Sequence, residues 1–151
     1  MIQRIQSLFL LLVILCLGGM FLAPIATFDK TVLTVQGIEV EENGEALESL
    51  LPFPLSPIVL GLLLLTIFIL FSYRNRKRQL LLGRLNYFLI LALVVVVFLS
   101  ISDIQKQLND GNSNPYGLAA YLPIISLGFH LLANRAIKRD EELVKSLDRL
   151  R

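Results

Sequence analysis

His130 is the single histidine of the 151-residue chain, and it lies in the apolar run YGLAAYLPIISLGFHLLA. An ionisable group in such a run is a functional candidate by default, as a proton carrier or a metal ligand. Either role needs company that the sequence does not provide. No Asp, Glu, Lys or Arg falls in any of four apolar runs, 7–26, 55–73, 85–102 and 116–133, so no carboxylate completes a proton relay. One imidazole also supplies neither a zinc site nor both axial ligands of a haem. The expected role of His130 is a structural hydrogen bond, with Asn86, Tyr87 or Asn134 as partner.

The other reactive residue types lead to the same result. Cys16 is the only cysteine, which excludes an internal disulfide and a CxxC redox pair. It reads as a small residue at a helix contact. Glu39, Glu41, Glu42, Glu45 and Glu48 are spaced like no calcium loop and read as a solvated acidic face. The stretch YRNRKRQLLLGR, 73–84, gathers Arg74, Arg76, Lys77, Arg78 and Arg84. It has no aromatic platform for nucleic acid, and nucleic acid is not expected as a partner. Each cation beside an anionic leaflet contributes about 1 kcal/mol, so topology and lipid anchoring explain the stretch without a specific ligand. The chain therefore reads as a non-enzyme with no catalytic residue, cofactor or metal.

These residues are positioned by membrane helices. Apolar residues make up 55% of the chain and charged residues 17%, too apolar for an ordinary soluble domain of this size. A hydrocarbon core about 30 Å thick takes about 20 helical residues to cross. The four runs come near that length, and backbone groups in hydrocarbon must be satisfied within the segment, so each is read as a helix. Placing the loop 74–84 in the cytoplasm puts 12 of the 14 Lys and Arg on that side, leaving Lys30 and Lys106 outside. The positive-inside rule then sets both termini in the cytoplasm.

In chain order, the first run is too long for a cleaved signal and is read as a retained span. Its Cys16, Gly19, Ala23 and Ala26 form a small-residue stripe suited to close helix contact, with another membrane protein or with a second copy. The external segment 27–54 alternates apolar and polar residues over 31–35 and 38–42, a candidate β-hairpin that would need to lie on the helix ends. Residues 50–57, with Pro52, Pro54 and Pro57, lead into the second span, and proline fits its first turn. Residues 102–115 read as an external connector. On the fourth run, Ala119, Pro123, Ser126, His130 and Asn134 make one small or polar face that should turn inward, with a bend at Pro123. The tail 134–151 is amphipathic, with Ile137, Val144, Leu147 and Arg151 on one face and i,i+4 pairs Lys138–Glu142 and Glu141–Lys145, and reads as a helix that continues the fourth span or lies along the membrane surface.

The opening MIQRIQSLFLLL and the closing ANRAIKRDEELVKSLDRLR together resemble a family of uncharacterised membrane proteins typical of Bacteroidetes, the domain of unknown function numbered 4293. The resemblance extends over essentially the whole chain and implies a bacterial inner-membrane location. It brings no activity, cofactor or catalytic residue. It does imply that the cytoplasmic ends carry the family's identity.

The expected fold is all-α, a four-helix transmembrane bundle with a small external segment and a C-terminal cytoplasmic amphipathic helix. The expected function is that of a scaffold or accessory protein whose basic face docks a protein partner or anionic lipid headgroups. A subunit of an oligomeric transporter or channel, using the polar face of the fourth span, is the alternative. The candidate cytoplasmic interface comprises Arg4, Arg84, Asn86, Tyr87, His130, Asn134 and Arg135 at one depth. Asp140, Glu141, Glu142 and Arg149 would dock the tail, which is expected to fold back on the loop arginines.

Overall fold

The computed structural model describes residues 3–28, 31–40, 55–73, 75–108 and 115–149. Among them are four helices, α1 (Gln3–Gly19), α2 (Leu55–Phe71), α3 (Arg76–Leu108) and α4 (Leu118–Arg149), and three strands, β1 (Ala26–Phe28), β2 (Thr31–Leu33) and β3 (Ile38–Val40).

Helix ends depart from the apolar runs for identifiable reasons. α1 stops at Gly19 instead of continuing to 26, because Gly18-Gly19 is followed by a tightening turn, Phe21 N to Gly18 O at 3.1 Å and Leu22 N to Gly19 O at 3.0 Å, and then by Pro24. The stripe Cys16, Gly19, Ala23 and Ala26 is therefore not one helical face, since Ala26 belongs to β1. Gly19 does make a close approach, for a Cβ there would lie 3.3 Å from Leu122 Cδ1. In α2, Pro57 sits in the first turn as expected, while 50–54 lie outside the described residues.

The expected loop 74–84 is mostly helix. α3 begins at Arg76, leaving 72–75 as the connection, of which Arg74 lies outside the described residues. The segment RKRQLLLGRL is built largely from good helix formers, and the Asn75 carbonyl takes the Gln79 amide at 2.9 Å. At its other end α3 continues past 102 to Leu108, with Ile101 and Ile104 buried in the core. α4 likewise continues through Pro123 and on to Arg149, so the tail is an extension of the fourth helix. It does not fold back, because no Gly or Pro interrupts 129–149 and the Lys138–Glu142 pair at 3.8 Å supports the helix.

Over Arg78–Lys106 and Leu118–Leu143 two helices are long and apolar enough to cross a membrane; α1 and α2 are shorter apolar helices of 17 residues each. At 1.5 Å per residue those two reach about 25 Å. α1 packs most extensively on α4 and α4 on α3, while α2 makes smaller contacts with α1 and α3. The helices thus close a ring in the order α1, α4, α3, α2.

The expected hairpin is present and gains a third strand. β1, β2 and β3 form an antiparallel sheet in that order, with Ala26 opposite Leu33 and Leu33 opposite Ile38. Its turn is held by Thr34, whose amide donates to Gly37 O at 2.8 Å. The outer edge of β1 is covered by the lead-in to α4, through Thr27 N to Pro115 O and Gly117 N to Ile25 O, both 2.8 Å. Ala26, Phe28, Leu33 and Ile38 join one apolar core with Leu17, Met20, Leu55, Ile104 and Ala119, so the sheet lies against the helix ends. Two strands alone would be marginal in water, and this backing supplies what they lack.

At Gly117 an added Cβ would lie 2.3 Å from the Pro24 carbonyl oxygen and 3.0 Å from its carbon, both backbone. Gly117→Ala is expected to cost about 1–3 kcal/mol through forced displacement. Thermal unfolding in detergent should show it as a lowered midpoint, with Gly128→Ala, where nothing lies within 4 Å, at or above the parent value.

Candidate functional site: polar layers at the basic end

The inward face of α4 is the one its sequence marks. Ala119, Pro123, Ser126 and His130 are buried and Asn134 is half-buried. Continuing along the same face, Ile137 and Asp140 are buried too. α3 presents Gln79, Asn86 and Ser100 inward, α2 presents Thr66, and α1 presents Gln6. Polar groups among apolar helices need partners within the protein, and most of these side chains find at least one, in layers.

The outermost layer joins the ends of the chain. Gln6 Nε2 donates to Asp140 Oδ2 and, at 3.2 Å, to Ala136 O, tying the first turn of α1 to the extension of α4. Gln79 Nε2 donates to Ile69 O at 3.2 Å and satisfies a carbonyl in the last turn of α2. An apolar cluster of Leu10, Ile69 and Ala133 fills the space nearby.

The next layer is built on Gly83. Its carbonyl oxygen accepts from His130 Nε2 at 2.8 Å and from Asn134 Nδ2 at 3.3 Å. Since a carbonyl only accepts, Nε2 carries a proton and donates it to Gly83 O. Tyr87, one turn along α3, stacks on the imidazole with ring centroids 6.5 Å apart and planes 19° apart. The absence of a side chain at position 83 lets the helices approach, for a Cβ there would lie 2.3 Å from Asn134 Oδ1. On the α2 side, Asn86 Nδ2 donates to Thr66 Oγ1 at 2.9 Å, and Thr66 in turn donates to Leu62 O at 2.7 Å. Deeper in α4, Ser126 Oγ donates to Pro123 O at 2.7 Å.

The expected interface residues therefore separate into three groups. Tyr87, His130 and Asn134 meet around Gly83, and Asn86 turns instead to Thr66. Arg84 and Arg135 are exposed. The side chain of Arg4 lies outside the described residues, as does that of Arg149. Of the tail acids, Asp140 is buried on Gln6, Glu141 is half-buried, and Glu142 pairs with Lys138 on its own helix. None of the three expected partners, Asn86, Tyr87 and Asn134, takes the hydrogen bond of His130; that partner is the Gly83 carbonyl, and Tyr87 stacks on the ring.

Gly83, Gln6 and Gln79 carry much of the site without standing out in the sequence. The available signal for Gly83 was its position one turn before Tyr87 in an otherwise bulky stretch. Gln6 and Gln79 are ordinary interfacial residue types until the helix order is known. Four buried polar atoms, Asn86 Oδ1, Ser100 Oγ, His130 Nδ1 and Asn134 Oδ1, have no hydrogen-bond partner among the described residues. No group of three or more His, Cys, Asp or Glu among the described residues could hold a metal ion.

Comparison with known proteins gives one match. A family model described as Domain of unknown function (DUF4293) matches residues 2–150. No curated protein and no solved structure matches the chain.

Gly83→Ala would displace Asn134 and weaken the shared acceptor. A loss of about 1–2 kcal/mol is expected. Adding Asn134→Ala should recover most of the steric part, giving a non-zero coupling in a double-mutant cycle read by unfolding in detergent. Strictly additive losses would show that the two positions do not meet.

Proposed function

The chain belongs to the domain-of-unknown-function family 4293, and we propose that it is a four-span integral membrane protein acting as a non-enzymatic scaffold or accessory subunit. Its basic face lies in the cytoplasm with both termini and docks anionic lipid headgroups or a protein partner. The proposed location is a bacterial inner membrane.

One observation carries the membrane part of this reading, the inversion of apolar and polar side chains. Leu15 is 61% exposed, Leu64 58%, Phe68 60% and Phe88 64%, while Asn86, Ser126 and His130 are at 0%. Exposed apolar residues of this kind recur on every helix, among them Leu8 on α1, Leu60 on α2, Val95 on α3 and Ile125 on α4. A belt of that extent greatly exceeds the apolar patches of soluble monomers and suits a surface solvated by lipid tails. The 17-residue helices α1 and α2 are short for a typical bilayer, a mismatch that local thinning accommodates at modest cost.

The docking part rests on charge. Arg78, Arg84, Arg135, Lys138 and Arg139 are exposed at one end, whereas Lys106, at the other, sits 4.0 Å from Asp103. With about 1 kcal/mol for each cation near an anionic leaflet, replacing Arg78, Arg84, Arg135 and Arg139 by Gln should weaken association with anionic lipid or partner by more than tenfold. Crosslinking mass spectrometry in native membranes reads both the contacts and the sidedness. An unchanged set of crosslinks and lipids in that variant would remove the docking role.

A transporter or channel subunit is the second reading, favoured by the buried polar atoms of Asn86 and His130 that have no partner among the described residues. It requires His130→Ala to change ion or solute flux in proteoliposomes by a clear factor. Flux at the parent rate would dismiss it.

A further inference from the structure

The exposed cations of the basic end are not equivalent. α3 runs inward from that end and α4 returns to it, so the two wind in opposite senses when viewed from the basic side. Gly83 and Tyr87 mark the side of α3 that faces α4, and His130 and Asn134 mark the side of α4 that faces α3. At about 100° per residue, Arg84 lies about 60° beyond Tyr87 and Arg135 about 100° beyond Asn134, each turned away from the buried side of its helix. Both therefore leave the seam between α3 and α4 on its outer side, and the hydrogen bond from Asn134 to Gly83 O sets them at one level. The same spacing places Arg78 about 180° from Tyr87 and Arg139 about 140° from Asn134, so neither flanks the seam. They also lie about 9 Å and about 6 Å farther out along their helices than Arg84 and Arg135.

We propose that Arg84 and Arg135 together hold the phosphate of one anionic phospholipid on this seam. The inference rests on the docking reading above and narrows it from a diffuse basic face to one site and one class of partner. Two guanidinium forks on adjacent helices suit a phosphate with its several acceptor oxygens. Both are available, for neither arginine makes an ion pair among the described residues. No Asp or Glu falls within 49–102, and on α4 Asp140 is buried on Gln6 while Glu142 pairs with Lys138 at 3.8 Å.

Depth along the helices selects a lipid over a soluble phosphate or an acidic segment of a protein. Leu81, a turn nearer the basic end than Arg84, is 69% exposed, and Phe88, a turn deeper, is exposed as well. On α4, exposed Leu131 and Leu132 lie just inside Arg135. Apolar surface thus borders both cations, and on α3 it continues past Arg84 toward the basic end. Long arginine side chains at such a border carry their heads to headgroup level, where the phosphates of a leaflet are the anions at hand.

The test compares wild type with two variants that lose the same charge, Arg84→Gln/Arg135→Gln and Arg78→Gln/Arg139→Gln. Each is purified in mild detergent, stripped of lipid and reloaded with dioleoyl phosphatidylglycerol or dioleoyl phosphatidylcholine, and bound lipid is counted by native mass spectrometry. The expected result is about one phosphatidylglycerol retained by wild type and by Arg78→Gln/Arg139→Gln. Retention should be at least about tenfold weaker for Arg84→Gln/Arg135→Gln, and for phosphatidylcholine on wild type. Thermal unfolding confirms that the variants are folded; if the seam variant is not, Arg135→Gln alone carries the comparison. Equal weakening by the two variants would overturn the discrete site and leave the docking role standing. Equal retention of the two lipids would overturn it too, by showing that apolar contact suffices, and displacement by excess inorganic phosphate would assign the site to a soluble phosphate instead. Retention unchanged in both variants and in the four-position variant would remove the lipid-docking role as well.

Discussion

Polar atoms enclosed by apolar helices have no solvent to complete their hydrogen bonds, and the requirement that they find partners inside the protein organises this molecule. Every helix meets it with at least one buried side chain. Gln6 of α1 reaches α4, Thr66 of α2 receives Asn86 of α3, and His130 and Asn134 of α4 share the Gly83 carbonyl of α3. Apolar contacts are plentiful, but the outer faces are equally apolar, so hydrophobicity alone would not tell a helix which face to turn inward. The polar layers make that choice. Interhelical hydrogen bonds among apolar helices average only about 0.6 kcal/mol each, enough for orientation when several are combined.

This explains which parts of the structure were legible in the sequence. The inward face of α4 could be read because Ala119, Pro123, Ser126, His130 and Asn134 recur at helical spacing within an apolar run, and the structure turns the first four fully inward. The hairpin could be read from its alternation. Helix ends could not be read from hydropathy. Arg76–Arg78 are as compatible with helix as with loop, and whether α3 starts before or after them depends on local capping at Asn75. Gln6, Gln79 and Gly83 were illegible for another reason: their roles depend on which helices are neighbours, which a single sequence does not encode in any local pattern. The tail was expected to find the arginines of the connection, yet its buried carboxylate meets the glutamine of α1, because an unbroken helix carries Asp140 along the bundle wall.

The two ends of the helix ring are finished differently. At the basic end, side chains cap it, with Gln6 on Asp140 and Gln79 on the Ile69 carbonyl. At the opposite end backbone does so, through a three-stranded sheet joined to the start of α4 by Thr27, Ile25 and Gly117. The backbone seal fixes the relative positions of Pro24 and Gly117 closely enough that no side chain fits between them.

The most extensive helix contact joins α1 to α4, the first and last helices along the chain. Synthesis therefore produces the two halves of the principal interface at opposite ends of its time course. Until the segment from residue 115 onward has emerged, the amide of Gln6, the carbonyl of Gly83 and the edge of β1 all lack their partners. A product cut short before α4 keeps the bonds between α2 and α3, Asn86 to Thr66 and Gln79 to the Ile69 carbonyl, but leaves Gln6 and the Gly83 carbonyl without their partners from α4. The last helix thus closes the polar layers that Gln6 of α1 and Gly83 of α3 begin.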